Sequence, residues 1–126
     1  MDIVFILDDD KDILFVLEYW LVNEGYEVHA FTNSNDMMQF LDICTPDIML
    51  VDINLNGEDG REVCMMMRKE RNYNNPILHI SANSFLHDNA ITACANGFIA
   101  KPFDLKELTK VIAFYISNAA TPHTSL

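Results

Sequence analysis

Ile3-Val4-Phe5-Ile6-Leu7-Asp8-Asp9-Asp10 sets a short apolar run directly against three aspartates. A run this brief, made of branched and aromatic side chains, is far too short to span a membrane and fits a strand covered by helices on both faces, as in a parallel sheet. The pattern returns in Ile48-Met49-Leu50-Val51 before Asp52 and in Ile77–Ile80 before Ser81. These three runs are expected to be the central strands. Glu27–Phe31 alternates, with Glu27 and His29 against Val28 and Ala30, which suits a strand nearer an edge and reads His29 as a solvent-side residue. The predicted strands are Ile3–Leu7, Glu27–Phe31, Asp47–Val51, Pro76–Ser81 and Gly97–Ala100.

Between the strands, apolar residues recur at helical spacing. Ile13, Leu14, Leu17, Trp20 and Leu21 precede Gly25, a C-cap glycine. Ser34 can cap a second helix through Met38, Phe40, Leu41 and Ile43, which Pro46 stops. Asp59 or Gly60 opens a third through Val63, Met66 and Met67, a fourth runs about Phe85–Cys94, and Leu105, Leu108, Ile112 and Ile116 stripe a fifth behind Asp104. Strands alternating with helices argue for βα units around a parallel sheet.

The chain has 126 residues, room for one domain at about 150 residues each. It is 50% hydrophobic and 21% charged, so wholesale disorder is excluded. With 8 basic against 19 acidic side chains the net charge is −11, which opposes direct nucleic-acid binding. No basic leader or membrane span is seen, and a cytoplasmic protein is expected. Residues 1–118 form the domain and residues 119–126 a polar tail or the start of a linker. Cys44, Cys64 and Cys94 are odd in number and form no CxxC, which predicts buried free thiols, with Cys64–Met67 as core packing rather than a metal or redox box.

Ligands of such sheets collect at the carboxyl ends of the strands. There lie Asp8-Asp9-Asp10, then Asp52, then Ser81-Ala82-Asn83, then Lys101-Pro102. One carboxylate of the first cluster suffices to cap a helix. The others, joined by Asp52, repel one another unless a proton or a hard cation relieves them, and magnesium suits Asp9 and Asp52. Lys101 opposite them would complete an electrostatic clamp for a phosphoryl group, with Ser81 as a hydrogen-bond donor. The Lys101–Pro102 bond is open to either isomer.

The segments Phe5-Ile-Leu-Asp-Asp-Asp10, Pro46-Asp-Ile-Met-Leu-Val-Asp-Ile-Asn-Leu-Asn-Gly-Glu-Asp-Gly60, Ile80-Ser-Ala82 and Gly97-Phe-Ile-Ala-Lys-Pro-Phe103 resemble the receiver domain of two-component response regulators. The match runs from the first strand to the last helix, and four ordered motifs make it specific. The resemblance implies a flavodoxin-like α/β fold, a doubly wound five-stranded parallel sheet of order 2-1-3-4-5 with five helices. It implies that Asp52 is the phosphoacceptor, loaded from a phosphohistidine on a sensor histidine kinase or a histidine phosphotransfer protein. Mg²⁺, with Mn²⁺ as a substitute, would be held by Asp9, Asp52 and the Asn54 backbone carbonyl, with Asp8 acting through water. Ser81, the Ala82 backbone and Lys101 would bind the phosphoryl group, Phe98 would be the aromatic coupled to Ser81, and Asn54 and Asn83 would tune hydrolysis. A downstream protein would read the face of helix Phe85–Cys94, strand Gly97–Ala100 and the last helix. Such a chain is not an enzyme acting on a separate substrate.

Asn56 replaces the proline usual after the phosphoacceptor, and Asn96-Gly97 a more acidic turn. Lys106–Ser117 lacks the arginine-rich pattern of regulators that dimerise through that face. A haloacid-dehalogenase-type phosphatase, with Asp8 as nucleophile in Asp8-x-Asp10, is one rival, although Lys11-Asp12 follows where that family has Gly-Thr or Thr-Leu. A receiver-like binding module that is never phosphorylated is another. A flavodoxin-like FMN carrier is excluded because its phosphate loop would stand where this chain has three aspartates.

Overall fold

Side chains of consecutive strand residues point to opposite faces, so a strand apolar at every position must be covered twice. In the computed structural model, which describes residues 1–82 and 94–119, that is what the central strands do. The elements are β1 (Ile3–Leu7), α1 (Lys11–Asn23), β2 (Glu27–Phe31), α2 (Ser34–Leu41), β3 (Ile48–Asp52), β4 (Asn54–Leu55), β5 (Glu58–Asp59), α3 (Gly60–Glu70), β6 (Ile77–Ser81), β7 (Gly97–Ala100) and α4 (Leu105–Ala119). Val4, Ile6, Leu50, Leu78 and Ile80 pack with Leu14, Leu17 and Leu21 of α1 and Leu108 and Ile112 of α4. Phe5, Leu7, Met49, Val51 and Ile77 face the other way, onto Met37 of α2 and Val63, Cys64 and Met67 of α3. Each such side chain, fully removed from water, contributes about 1.5–3 kcal/mol.

The parallel sheet has the order β2-β1-β3-β6-β7, the predicted order once the small β4-β5 ribbon is set aside. The chain leaves β1 outward to β2 and returns to β3 on β1's other side. Beyond β1 and β3 therefore lies the switch point where doubly wound sheets bind ligands. The register pairs Leu7 with Val51, so Asp8 and Asp52 emerge side by side.

Helix ends follow local chemistry. Asp10 caps α1 by accepting from the amides of Asp12 and Ile13. Its C-terminus closes with Gly25 at φ 100°, Tyr26 N–H donating to the Leu21 carbonyl and Gly25 N–H to that of Val22, a Schellman closure. Asp59 caps α3, and Asp104 Oδ1 accepts from the amides of Lys106 and Glu107 at the start of α4.

Several expectations are corrected. Asn33, not Ser34, caps α2; Ser34 is its first helical residue and donates its hydroxyl to Glu58 instead. That helix ends at Leu41, short of Ile43. His29 is half-buried against the rings of Phe5 and Phe40 rather than solvent-facing. Cys64 and Cys94 form a disulfide across 30 residues, leaving Cys44 as the free cysteine. Its partners are brought together by packing α3 beside the turn into β7, which spacing alone does not reveal. Residues 85–93 of the predicted helix Phe85–Cys94 lie outside the described residues, as do Asn83 and the tail beyond Ala119; Cys94 itself stands in a turn. Among the described residues no helix is long and apolar enough to cross a membrane.

Candidate functional site

Asp8 is 0% and Asp52 4% exposed, and two buried carboxylates this near each other need a counter-charge. Lys101, at the end of the edge strand β7, supplies it: Nζ donates to Asp8 Oδ2 at 3.0 Å and to Asp52 Oδ2 at 2.9 Å. The remaining oxygens are also engaged. Asp8 Oδ1 accepts from the Asp10 amide at 2.9 Å, and Asp52 Oδ1 from the Asn54 amide at 3.1 Å. Burial, aided by the Asp52 charge, pushes the Asp8 carboxyl up, against the Asp10 and Lys101 hydrogen bonds. Burial alone would pull the Lys101 ammonium down, but its bonds to Asp52 and Asp8 outweigh that and hold it above the ordinary lysine value.

Asp9 is exposed at the same rim, and carboxylate oxygens of Asp8, Asp9 and Asp52 all lie within 4.8 Å of one another. An all-oxygen, anionic donor set of this size fits a hard divalent cation that keeps part of its water shell, as magnesium does. The Lys101 ammonium leaves net negative charge in the cluster, since one cation faces three carboxylates.

Ser81 ends β6, 1% exposed, and its carbonyl accepts from the Lys101 amide at 2.9 Å. Ala82 follows it and, with Lys101, Pro102, Phe103, Ile13 and Val16, lines a groove of about 530 Å³ beside the carboxylates. The Lys101–Pro102 bond is cis. Asn54 opens β4 and is exposed. Phe98 stands apart from this cluster: it is half-buried in β7, opposite His79 in register, and borders a shallow groove with Val111, Phe114 and Tyr115.

Two contributors went unpredicted. Gly60 approaches the Asp52 backbone so closely that a Cβ there would stand 2.0 Å from the Asp52 carbonyl oxygen. Its amide donates to the Ile53 carbonyl at 2.8 Å, fixing the strand exit. Glu58 ties the loop after Asp52 to α2 through the Ser34 amide at 3.2 Å and the Ser34 hydroxyl. A glycine after an N-cap aspartate was visible in the sequence, but its neighbour was not.

A buried triad of two strand-end aspartates and a strand-end lysine thus sits at the switch point of a 2-1-3 crossover sheet. The family model of the response regulator receiver domain matches residues 4–113, and the chain belongs to that family, the phosphoacceptor domains of two-component signal transduction. Its fold is similar to those of solved receivers. A CheY-like receiver domain from Methanospirillum hungatei is 23% identical, with a TM-score of 0.86 over 95% of this chain and 97% of that one. TrrA from Thermotoga maritima, solved in complex with Mg²⁺ and BeF, is 24% identical, with a TM-score of 0.82 over 91% and 99%. NtrX from Brucella abortus gives 23% and 0.89 over 98% of this chain but only 28% of its own, longer one.

Proposed function

We propose that Asp52 is the phosphoacceptor of this receiver domain and that a phosphohistidine protein, a sensor kinase or a histidine phosphotransfer protein, is its donor. The observation that carries this reading is the Lys101 ammonium shared between Asp8 and Asp52 at the sheet's switch point. In the transfer, an Asp52 carboxylate oxygen attacks phosphorus, a P–O bond forms, the P–N bond to the donor imidazole breaks, and the imidazole leaves with the bond's electron pair and takes a proton. Lys101 moves from balancing two carboxylates to balancing the phosphoryl oxygens. Ser81 and the Ala82 amide donate to those oxygens, and Phe98 follows Ser81 as the surface of β7 and α4 adjusts to a downstream protein. Asn54 and Asn83 stand at the positions that would govern water's access for hydrolysis.

Asp9, Asp52 and the Asn54 carbonyl would hold the cation, with Asp8 through water. Bound there, Mg²⁺, or Mn²⁺ in its place, supplies charge neutralisation for the transferring phosphoryl group. TrrA, crystallised with Mg²⁺ and BeF, supports that choice by analogy. The exposed strip Phe15, Val16, Tyr19 and Val22 on α1 adjoins the groove beside Lys101, and an apolar strip at the mouth of the site favours a protein donor. The signalling is placed in the cytoplasm, without nucleic acid or membrane as direct partner.

The phosphatase reading, with Asp8 as nucleophile, has less support. Asp10, the second aspartate of the Asp8-x-Asp10 motif, is occupied as the α1 cap, and Lys11-Asp12 follows where that family has Gly-Thr or Thr-Leu. The test is intact mass after incubation with acetyl phosphate and Mg²⁺. One phosphoryl increment that disappears in Asp52→Asn and in EDTA is expected. An increment that survives Asp52→Asn and vanishes in Asp8→Asn overturns the assignment, as does no labelling by either acetyl phosphate or a phosphohistidine donor.

A further inference from the structure

Toward the opposite end of the sheet from Asp52, the edge strand β2 and the loop after α2 bring three chemically different donors together. Glu27 and His29 are two residues apart on β2 and so share a face, the face covered by α2. Cys44 follows α2, its amide held by the Phe40 carbonyl at 3.1 Å. A Glu27 carboxylate oxygen, a His29 ring nitrogen and Cys44 Sγ all lie within 4.8 Å of one another. Tetrahedral zinc sites, with metal–ligand bonds of about 2.0–2.3 Å, hold donors at such spacings after small side-chain rotations.

We propose that Glu27, His29 and Cys44 form a second cation site, specific for a borderline divalent ion of the zinc type and distinct from the aspartate cluster. The donor chemistry selects the ion: a thiolate and an imidazole favour zinc over the magnesium that an all-oxygen set prefers. The ring of His29 is already oriented, tilted by 45° against the Phe40 ring at 4.5 Å and edge-on to Phe5 at 5.8 Å. Its Nε2 lies 2.7 Å from Glu27 Oε2, a bond the ion would replace by ligating both atoms. The surroundings are negative as well. The carboxylates of Glu27 and Asp47 both lie near Cys44. Asp47 is committed elsewhere, Oδ2 accepting from the Ile3 amide at 2.7 Å. Three protein ligands leave the fourth position to water, and the loaded ion would clamp the edge strand to the α2–β3 connection.

The probe is Co²⁺, titrated into the full chain with Cys64–Cys94 kept oxidised and Mg²⁺ in excess, followed by displacement with Zn²⁺. Cys44 is then the free thiol, so a sulfur-to-cobalt charge-transfer band reports that residue. One ion per chain with such a band is expected. Cys44→Ser should abolish the band and weaken Zn²⁺ binding by at least about tenfold, an effect His29→Gln and the exposed Glu27→Gln should each reproduce in affinity. Asp52→Asn should leave the band and the Zn²⁺ affinity unaltered. No band, a band that persists in Cys44→Ser, or Zn²⁺ binding lost only in Asp52→Asn overturns the site. Glu27→Gln keeps the side chain's size and an oxygen that can still meet the His29 ring, so this variant separates lost ligation from any loosening of the aromatic cluster around His29.

Discussion

Gly60 stands against the backbone of Asp52: an ideal Cβ at Gly60 would lie 2.0 Å from the Asp52 carbonyl oxygen and 2.8 Å from Ile53 Cα. Both neighbours are main-chain atoms, which cannot rotate aside as a side chain would. Gly60→Ala must therefore displace either the start of α3 or the strand end that carries the phosphoacceptor. The expected cost is at least about 1–3 kcal/mol, the usual range for forced overpacking, together with slower labelling by acetyl phosphate. Gly57→Ala is the control. Gly57 has φ 81° with nothing within 4 Å, so that change should cost about 1 kcal/mol of backbone strain and leave labelling intact. Urea midpoints and labelling rates of both variants check the pair.

Removing Lys101 strips the counter-charge from two carboxylates that have almost no contact with water. Lys101→Met should destabilise the metal-free protein by about 3 kcal/mol at neutral pH, within the range for breaking a buried ion pair. The loss should shrink when Mg²⁺ is added, because a cation held by Asp9 and Asp52 offsets the same charge. Denaturation with and without Mg²⁺ measures both, and a deficit that Mg²⁺ leaves unchanged would contradict the shared-charge account.

Arg68 offers a stability effect without a site effect. Its guanidinium donates to the carbonyls of Tyr73 at 2.8 Å, Asn75 at 2.7 Å and Cys94 at 3.3 Å, and to Asn96 Oδ1 at 2.7 Å. Asn96 Oδ1 in turn accepts from the Ile77 amide at 2.9 Å. One side chain thereby secures the loop before β6 and the turn before β7, at the end of the sheet away from Asp52. Arg68→Ala should cost about 2–3 kcal/mol, since charged hydrogen bonds to partly buried acceptors are lost. Labelling of Asp52 at temperatures where the variant stays folded should keep the wild-type rate.

What the sequence made legible was whatever depends on one strand at a time. The continuous apolar runs of β1, β3 and β6 announce strands covered on both faces, and the residue after each run is read off directly as a rim residue, which is how Asp8, Asp52 and Ser81 became candidates, with Lys101 read off after β7 in the same way. Features that need two distant segments to meet were not legible. Cys64 reaches Cys94 only because α3 lies beside the entry to β7, and His29 meets the Phe40 ring only because α2 covers that face of β2. The α2 cap shows the same limit locally. Asn33 and Ser34 are equally good caps by type, and the tie is broken by Glu58, 24 residues on, which takes the Ser34 amide and hydroxyl.

His79 carries the pH dependence that geometry and charge together predict. Its Nδ1 donates to the Val51 carbonyl at 3.0 Å, which leaves Nε2 as a buried acceptor without a partner among the described residues. Burial pulls the imidazole below its ordinary value; the Val51 bond and the Asp59 charge act the other way without overcoming it, and Arg61 adds to the depression. The folded chain therefore refuses a proton that the unfolded chain accepts at a pKa of about 6.5. Above that pH His79 is neutral in both states and contributes no slope. Below it the unfolded state is favoured, and stability falls by up to about 1.4 kcal/mol per pH unit until the folded-state value is reached. His79→Asn removes the titrating group, so the wild type should lose more stability than the variant between pH 7 and pH 5.5. Urea denaturation of both proteins across that interval reads the difference directly, because every other titrating group cancels between them. Parallel stability curves would mean that His79 gains its proton as readily in the folded chain as in the unfolded one.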